Sequence, residues 1–381
     1  MSIKDQIQAE AHSLGFSLFG ITTIQKPAHF PLYEQWIVNG YHGGMSYLAT
    51  SRALLYRSNP EMILPEAKSI IVLGMPYPNH PEDKNDFAFP VGKIASYAWI
   101  DDYHNTIPDL LHTLIQKIES VSRRNILYKI YTDTGPILER ELAQMAGLGW
   151  IGRNSNLISP THGSNIFLAE IFCDLTLEFD VPFHADRCGK CQRCIHACPT
   201  QAILPDRTID SNRCISYLTI ENKGIIPRRL RPSIGNWIFG CDICQTICPW
   251  NTPSKVERYT PTLGFQKKRF FPDLHKEILL TTAEFKQKFK NNPVNRARRR
   301  GYLRNVAVAI GNLAQPDSVP YLKKVLQDEA EPLICQHAAW ALGRINNTTA
   351  RKVLFQRTRE EENQVVLEEL IYALEHQVGE T

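Results

Sequence analysis

The chain has 381 residues, 43% hydrophobic and 22% charged, with a net charge of +4. That length predicts two or three domains with real cores. No apolar run approaches the ~18 residues of a membrane span. The opening MSIKDQIQAEAHSLGFSLFG reads as an amphipathic helix with acids and amides, not a signal peptide, so a cytoplasmic location is expected, with no membrane partner.

Residues 1–180 read as alternating helices and strands. A helix over 3–15 leads into a strand near Phe16–Ile21, and YEQWIVNG ends a second helix at Gly40. The segment 41–67 is helix and loop, with Arg57 shortly before Pro60. SIIVLGMPY (Ser69–Tyr77) is an apolar, β-branched run and hence a buried strand. A polar, proline-rich loop follows, then a strand-like start at Lys93 that becomes a helix from about Pro108. NILYKIYTDTG reads as a strand and PILERELAQMAG as a helix with Pro136 in its first turn. SNIFLAEIFCDLTL reads as a strand pair with Cys173 in the core. The sum is an α/β domain whose loops are too long for a regular doubly wound sheet.

Residues 181–255 carry eight of the ten cysteines. CGKCQRCIHACP, from Cys188 to Pro199, has the C-x2-C-x2-C-x3-C-P spacing that holds a cubane iron–sulfur cluster. The second run, CDICQTICP from Cys241, lacks one cysteine of that pattern, and Cys214 supplies it. In such ferredoxin-like pairs the cysteine before Pro ligates the other cluster. Cys188, Cys191, Cys194 and Cys248 are therefore assigned to one 4Fe–4S cluster, and Cys198, Cys214, Cys241 and Cys244 to the other. Zinc is closed by four ligands and does not call for the C-x3-C-P half; disulfides need an oxidising compartment.

Residues 256–300 form a basic, proline-containing connector. Arg296, Arg298, Arg299, Arg300 and Arg304 are tightly grouped; Lys223 to Arg231 and Lys267–Arg269 are further basic stretches. Clustered cations on a nearly neutral chain point to a polyanion. From 301 to 381 the chain repeats: Ala-Ile-Gly at Ala309 recurs as Ala-Leu-Gly at Ala341, 32 residues on, and Ala-Leu follows at Ala373. Paired helices at that period predict an α-solenoid of the HEAT type, with Cys335 as packing.

Two further stretches carry candidate chemistry. Asp133 sits in YTDTGP between a strand end and a helix start, where it serves either as a helix cap or as a proton donor with a raised pKa. GLGWIGRN (Gly147–Asn154) has three glycines in six residues but follows a helix, so it is not a dinucleotide loop. Its glycines are expected to let backbone approach a large flat ligand.

Arg57, Y-x4-D-Y-H at Tyr97–His104, TDTGP around Asp133, GLGWIGRN, the eight cysteines and R-x3-R-N-x-A-x-A-I-G from Arg300 together resemble the epoxyqueuosine reductase family over essentially the whole chain. The resemblance implies an N-terminal α/β domain that binds cobalamin and is related to reductive dehalogenases, a ferredoxin-like two-cluster domain, and HEAT-like repeats that bind tRNA. It implies base-off cobalamin with no lower His ligand, and the chain lacks the D-x-H-x-x-G signature that would supply one. It places the catalytic acid on Asp133 and corrin contacts on or near Arg57, Tyr97, Arg153, Asn154, Ser159, Ser216 and Asp242. It also implies reduction of the epoxide of epoxyqueuosine at the tRNA wobble position, with an external low-potential electron donor and a monomeric enzyme. Lys223, Arg231, Arg296, Arg298, Arg299 and Arg300 are the expected phosphate contacts. A reductive dehalogenase acting on a small molecule would share the cofactors, but it would have no use for an arginine patch and a solenoid.

Overall fold

The computed structural model describes residues 2–78, 88–252 and 271–376. The basic stretch Lys267–Arg269 lies outside them. In chain order the elements are α1 (Ile3–Ser13), β1 (Leu18–Thr22), α2 (Phe30–Val38), α3 (Ser51–Ser58), β2 (Ser69–Pro76), β3 (Lys93–Ile94), α4 (Tyr103–Ser122), β4 (Tyr128–Tyr131), α5 (Glu139–Met145), β5 (Trp150–Ile151), β6 (Leu157–Ile158) and β7 (Ile166–Cys173). They continue with α6 (Arg193–Ala197), α7 (Ile215–Ile220), β8 (Trp237–Phe239), α8 (Ile243–Thr246), α9 (Leu274–Glu277), α10 (Thr282–Lys288), α11 (Arg298–Leu313), α12 (Val319–Asp328), α13 (Pro332–Ile345), α14 (Thr348–Thr358) and α15 (Gln364–Glu375). No helix among the described residues is long and apolar enough to cross a membrane.

The chain divides into two compact units. The first comprises Met1–His80, Ile100–Asn212 and Asp242–Phe265; the second comprises Pro81–Trp99, Arg213–Cys241 and Gln266–Thr381. These units do not follow the boundaries at 180, 255 and 300 that composition suggests.

The first unit is built on a sheet of order β1-β2-β7-β4, antiparallel at every pairing. Helices and strands alternate along the chain without making the sheet parallel. β2 is apolar throughout because it is central and buried along its whole length. Alternation along β7 sends Phe167, Ala169, Ile171 and Cys173 to one face and Leu168, Glu170 and Phe172 to the other. On the second of these faces Ile70, Val72 and Phe172 pack with Ile137 and with Leu142, Ala143 and Ala146 of and beside α5. The α4 face is fixed by Tyr103, whose ring stacks on Phe167 at 4.3 Å. Behind it runs a buried stripe of Ile107, Leu111, Leu114, Ile115 and Ile118 at helical spacing.

Two elements differ from the sequence reading. α4 begins at Tyr103 rather than near Pro108, because the Asp102 side chain accepts the His104 N–H and caps the helix there. Pro108 then lies inside the helix and removes one ladder bond without ending it. The expected strand pair from Ser164 to Leu177 is one strand, since Ile166–Cys173 pairs without a break along Ser69–Pro76.

In the second unit β3 and β8 pair in parallel, and helices α11, α13 and α15 stack as the inner row of the solenoid, with α12 and α14 beside them. The repeated Ala-Ile/Leu-Gly motif has a steric cause. A Cβ on Gly311 would stand 2.6 Å from the Trp340 ring and 2.9 Å from the Ala341 Cα, and one on Gly343 would stand 2.9 Å from the Ala373 Cβ. Glycine lets successive inner helices approach. Arg304 and Asn305, both fully buried, tie α11 to the segment before it. Arg304 donates to the Leu218, Asn222 and Gly224 carbonyls at 2.6–2.8 Å. Asn305 donates to Thr219 and Ile238. This clamp is why residues 213–241 group with the repeats.

Gly311→Ala is predicted to force α11 from α13 and to lower stability by about 1–3 kcal/mol. The midpoint of urea unfolding, followed by helical circular dichroism, would fall; an unchanged midpoint would mean that the helices separate without cost.

Candidate active site and basic face

Asp133 follows β4 at the centre of a three-residue turn in which the Thr134 N–H donates to the Thr132 carbonyl at 2.6 Å. Its φ is +59°, a left-handed conformation that Asp tolerates better than most residues. Neighbours hold it on both sides. The Tyr103 hydroxyl donates to Asp133 Oδ2 at 2.9 Å, and His104 Nε2 meets the same oxygen at 3.1 Å. His104 Nδ1 meets Asp102 Oδ1 at 2.7 Å. On the α5 side the Asp133 amide donates to Glu139 Oε1 at 2.5 Å. Arg57, buried and set over the Tyr33 ring, donates to the Gly135 carbonyl at 3.2 Å. Arg57 therefore steadies the turn that presents Asp133, whose side chain is 51% exposed.

The charges in this turn are strongly perturbed. Burial opposes a charge on His104, but hydrogen bonds to Asp102 and then Asp133 outweigh it and lift the imidazole to about 9. Burial, and next the Asp133 carboxylate, push Glu139 up to about 8. Burial holds Glu170 well above the usual carboxylate range, with Glu139 and Asp133 acting in the same direction. Glu139 and Glu170 were not singled out by sequence, although a Glu in the middle of the apolar strand IFLAEIFC is itself a signal. Tyr103 and His104 stood out only as part of the Y-x4-D-Y-H motif.

The remaining cofactor candidates are spread through the fold. Arg153 donates to the Gly189 carbonyl at 2.8 Å. Asn154 is buried, and its Nδ2 has no partner among the described residues. Ser159 is fully buried, and its hydroxyl accepts the Thr161 N–H within a turn. Asp242 is buried before α8, where its carbonyl accepts from Gln245 and Thr246. Tyr97 is half-buried with its ring 6.1 Å from Phe239, and Ser216 is half-buried in α7. The glycine-rich loop has a different purpose from the one expected. A Cβ on Gly149 would lie 2.1 Å from the Ile158 carbonyl oxygen, and one on Gly152 would lie 2.4 Å from the Ile158 side chain. These glycines serve the β5–β6 hairpin itself.

Four of the cysteines converge. Cys188 and Cys248 pack with Trp150 and Ile158, and the Trp150 indole donates to Cys188 Sγ at 3.4 Å. Burial raises the Cys194 thiol, and Cys248, Cys188 and Cys191 add to it. Short helices α6 and α8, each inside a cysteine run, lie against each other. Cys198 Sγ accepts the Ala202 N–H at 3.3 Å, and Cys214 starts α7. Among the described residues no three His, Cys, Asp or Glu side chains are placed to hold a single metal ion. Cys173 and Cys335 are buried in cores, as expected.

The arginines separate into two groups. Arg298 and Arg300 are exposed. Arg300 donates to the Lys223 carbonyl at 2.7 Å, and Lys223 Nζ donates to the Arg296 carbonyl at 2.8 Å, so these residues share one face. Arg296 also pairs with Glu221. The other expected phosphate contacts turn inward. Arg231 is fully buried and paired with Glu369 at 2.7 Å. Arg299 pairs with Glu329 at 2.5 Å and donates to the Leu280 carbonyl. Arg304 is completely buried, and burial pushes it down to about 9. A guanidinium held this way cannot also meet a phosphate.

Two cysteine runs with iron–sulfur spacing, a carboxyl at a strand end and a helical-repeat array define an iron–sulfur protein with a HEAT-type domain. Family models agree: a 4Fe-4S double cluster binding domain matches residues 187–251, and HEAT repeats match 299–375. The model described as epoxyqueuosine reductase QueG, DUF1730 matches 57–134, from Arg57 to one residue past Asp133. The epoxyqueuosine reductase of Pseudomonas aeruginosa is 36% identical over 353 residues, covering 91% of this chain and 94% of that one. A solved epoxyqueuosine reductase with an epoxyqueuosine-modified tRNA-Tyr stem loop superposes with a TM-score of 0.88 at 29% identity over 98% of both chains. Another, from Bacillus subtilis with its catalytic aspartate loop swung out of the active site, gives 0.88 at 28% identity over the same shares. The chain belongs to the epoxyqueuosine reductase family and is an oxidoreductase.

His104 gives the first test. A raised imidazole contributes stability that is fully present below its ordinary 6.5 and is lost as pH rises through about 9. The ring-proton NMR titration of His104 is predicted to have its midpoint near 9 and to move down in Asp102→Asn. A midpoint near 6.5 in the wild type would contradict the geometry.

Proposed function

We propose that this enzyme reduces the epoxide of epoxyqueuosine at the wobble position of tRNA to the cyclopentene of queuosine, with Asp133 as the proton donor. The observation that carries the reading is the Asp133 turn, which presents a half-exposed carboxyl while Tyr103, His104 and Glu139 fix it from behind. The relatives' tRNA stem-loop complex and mobile catalytic aspartate loop support the substrate and the residue.

The residues of the first unit fit cobalamin. Asn154 Nδ2 and Asn165 Oδ1 are buried without partners among the described residues, one a donor and one an acceptor, as the peripheral amides of a corrin require. Asn154, Asn165, Arg153 and Asp242 are the residues that would hold it. Cobalamin supplies chemistry at carbon that no side chain can, in its base-off form by family resemblance. The two 4Fe–4S clusters, on the cysteine sets assigned by spacing, supply single electrons from an external low-potential donor.

The protein's own contribution is proton handling and grip. Asp133 gives its proton to the epoxide oxygen as the C–O bond breaks. His104, bonded to Asp133 Oδ2 and charged at neutral pH, stabilises the carboxylate left behind. Tyr103 fixes the side-chain direction. Lys223, Arg296, Arg298 and Arg300 meet the phosphates of the stem loop, and the modified base is splayed out for reaction, as is common in RNA recognition.

Asp133→Asn should keep the cluster absorption, the cobalamin spectrum and tRNA affinity while lowering turnover by about 10²–10⁴-fold. Asn also tolerates the left-handed turn, so the comparison is clean; full turnover would remove Asp133 from the mechanism. For the basic face, Arg298→Ala with Arg300→Ala should reduce the slope of log affinity for tRNA against log salt by about 2. An unchanged slope would place the phosphates elsewhere.

A further inference from the structure

Glu170 has no role in the chemistry above and is costly where it stands. It lies in the middle of β7, fully buried, and neither carboxyl oxygen has a hydrogen-bond partner among the described residues. A charged carboxylate in that position would be strongly destabilising. The register places it opposite Val72 on β2 and Tyr131 on β4, and Tyr131 is the last residue of β4 before the Thr132–Asp133 turn. Its side chain is on the α5 face, where Glu139 is the first residue of the helix. Glu139 in turn accepts the Asp133 amide hydrogen. Three carboxyl groups thus run from the interior of the sheet to a half-exposed turn.

We infer that Glu170 is the site's buried proton store, passing its proton through Glu139 to Asp133 while substrate covers the turn. The inference rests on the reading of Asp133 as proton donor. Its motive is the balance of the reaction: converting an epoxide to an alkene and water takes two electrons and two protons. The electrons come from the one-electron donor through the clusters. The first proton leaves Asp133 for the epoxide oxygen as the first C–O bond breaks. Glu139 then gives its proton to the Asp133 carboxylate and is reprotonated by Glu170 once a side-chain rotation brings the two carboxyls together. Asp133 delivers the second proton to the hydroxyl, which leaves as water when the second C–O bond breaks. Solvent refills the store through Asp133 once product departs.

The charges around the store favour this. Burial keeps Glu170 protonated, and Glu139 and then Asp133 act in the same sense. Arg140 and Arg57 act on Glu139 in the opposite sense, so Glu139 is the easier of the two to ionise and the natural intermediate. Tyr131 faces Glu170 across the ladder as a neutral phenol whose own pKa is raised by burial.

The test has two arms on the holoenzyme. Infrared difference spectra of wild type against Glu170→Gln, in light and heavy water without tRNA, should show a protonated-carboxyl band at neutral pH that Glu170→Gln lacks. In steady state, Glu170→Gln and Glu139→Gln should each lower kcat by about tenfold, leave KM for tRNA unchanged, and move the alkaline limb of the kcat profile. A protonated-carboxyl band of the same intensity in Glu170→Gln as in wild type, or variants with wild-type kcat and limb, would overturn the inference. Asp133→Asn run in parallel separates the two readings. If it stays active, the proton-donor reading fails. If it is inactive while Glu170→Gln matches wild type, the store alone fails.

Discussion

A single left-handed turn at Asp133 sets the terms for the rest of the first unit. A non-glycine residue stays in that conformation only when its surroundings hold it there, and here three elements do so. α4 brings Tyr103 and His104 to one carboxylate oxygen, α5 brings Glu139 to the backbone amide, and α3 brings Arg57 to the Gly135 carbonyl. Two of those elements are in turn fixed by the sheet: α4 through the stack of Tyr103 on Phe167, α5 through the cluster around Phe172. The acid is exposed, and of the groups that aim it Tyr103 and Arg57 are buried while His104 and Glu139 are half-buried.

The same turn separates charge by side. The α4 side carries a His held between two carboxylates, and the α5 side carries acids that burial keeps from ionising. The acid catalysis proposed for Asp133 needs protons nearby and a stabilised conjugate base, two demands that a single neighbour cannot meet. In the second unit arginine is divided by the same logic. Arg304 and Arg231 are inside, saturated by carbonyls or Glu369, and hold the repeats to the segment before them. Arg298 and Arg300 are outside and available to a polyanion.

Much of this was legible in sequence because it depends on spacing. The cysteine runs announce iron–sulfur ligation whatever the fold, and the Ala-Ile-Gly repeat announces stacked helices whose glycines prove to be points of close approach. Asp133 was legible from its place between a strand and a helix. What spacing does not carry is direction. Arg231 and Arg299 read as part of a basic patch, yet they point inward to Glu369 and Glu329, which are distant in sequence. Gly149 read as ligand access and instead admits the Ile158 carbonyl of its own hairpin. Tyr103 and His104 lie about thirty residues before Asp133, and only the crossing of α4 over the sheet makes them its partners. Glu170 was visible as a lone charge in an apolar strand, but its meaning depends on which face it takes.

The most direct test is a crystal structure of the Asp133→Asn enzyme with cobalamin and an epoxyqueuosine-modified anticodon stem loop. The account predicts the residue 133 side chain at hydrogen-bond distance from the epoxide oxygen, with Tyr103 and His104 still on its far oxygen. An epoxide oxygen that faces another donor, with residue 133 turned away, would contradict it.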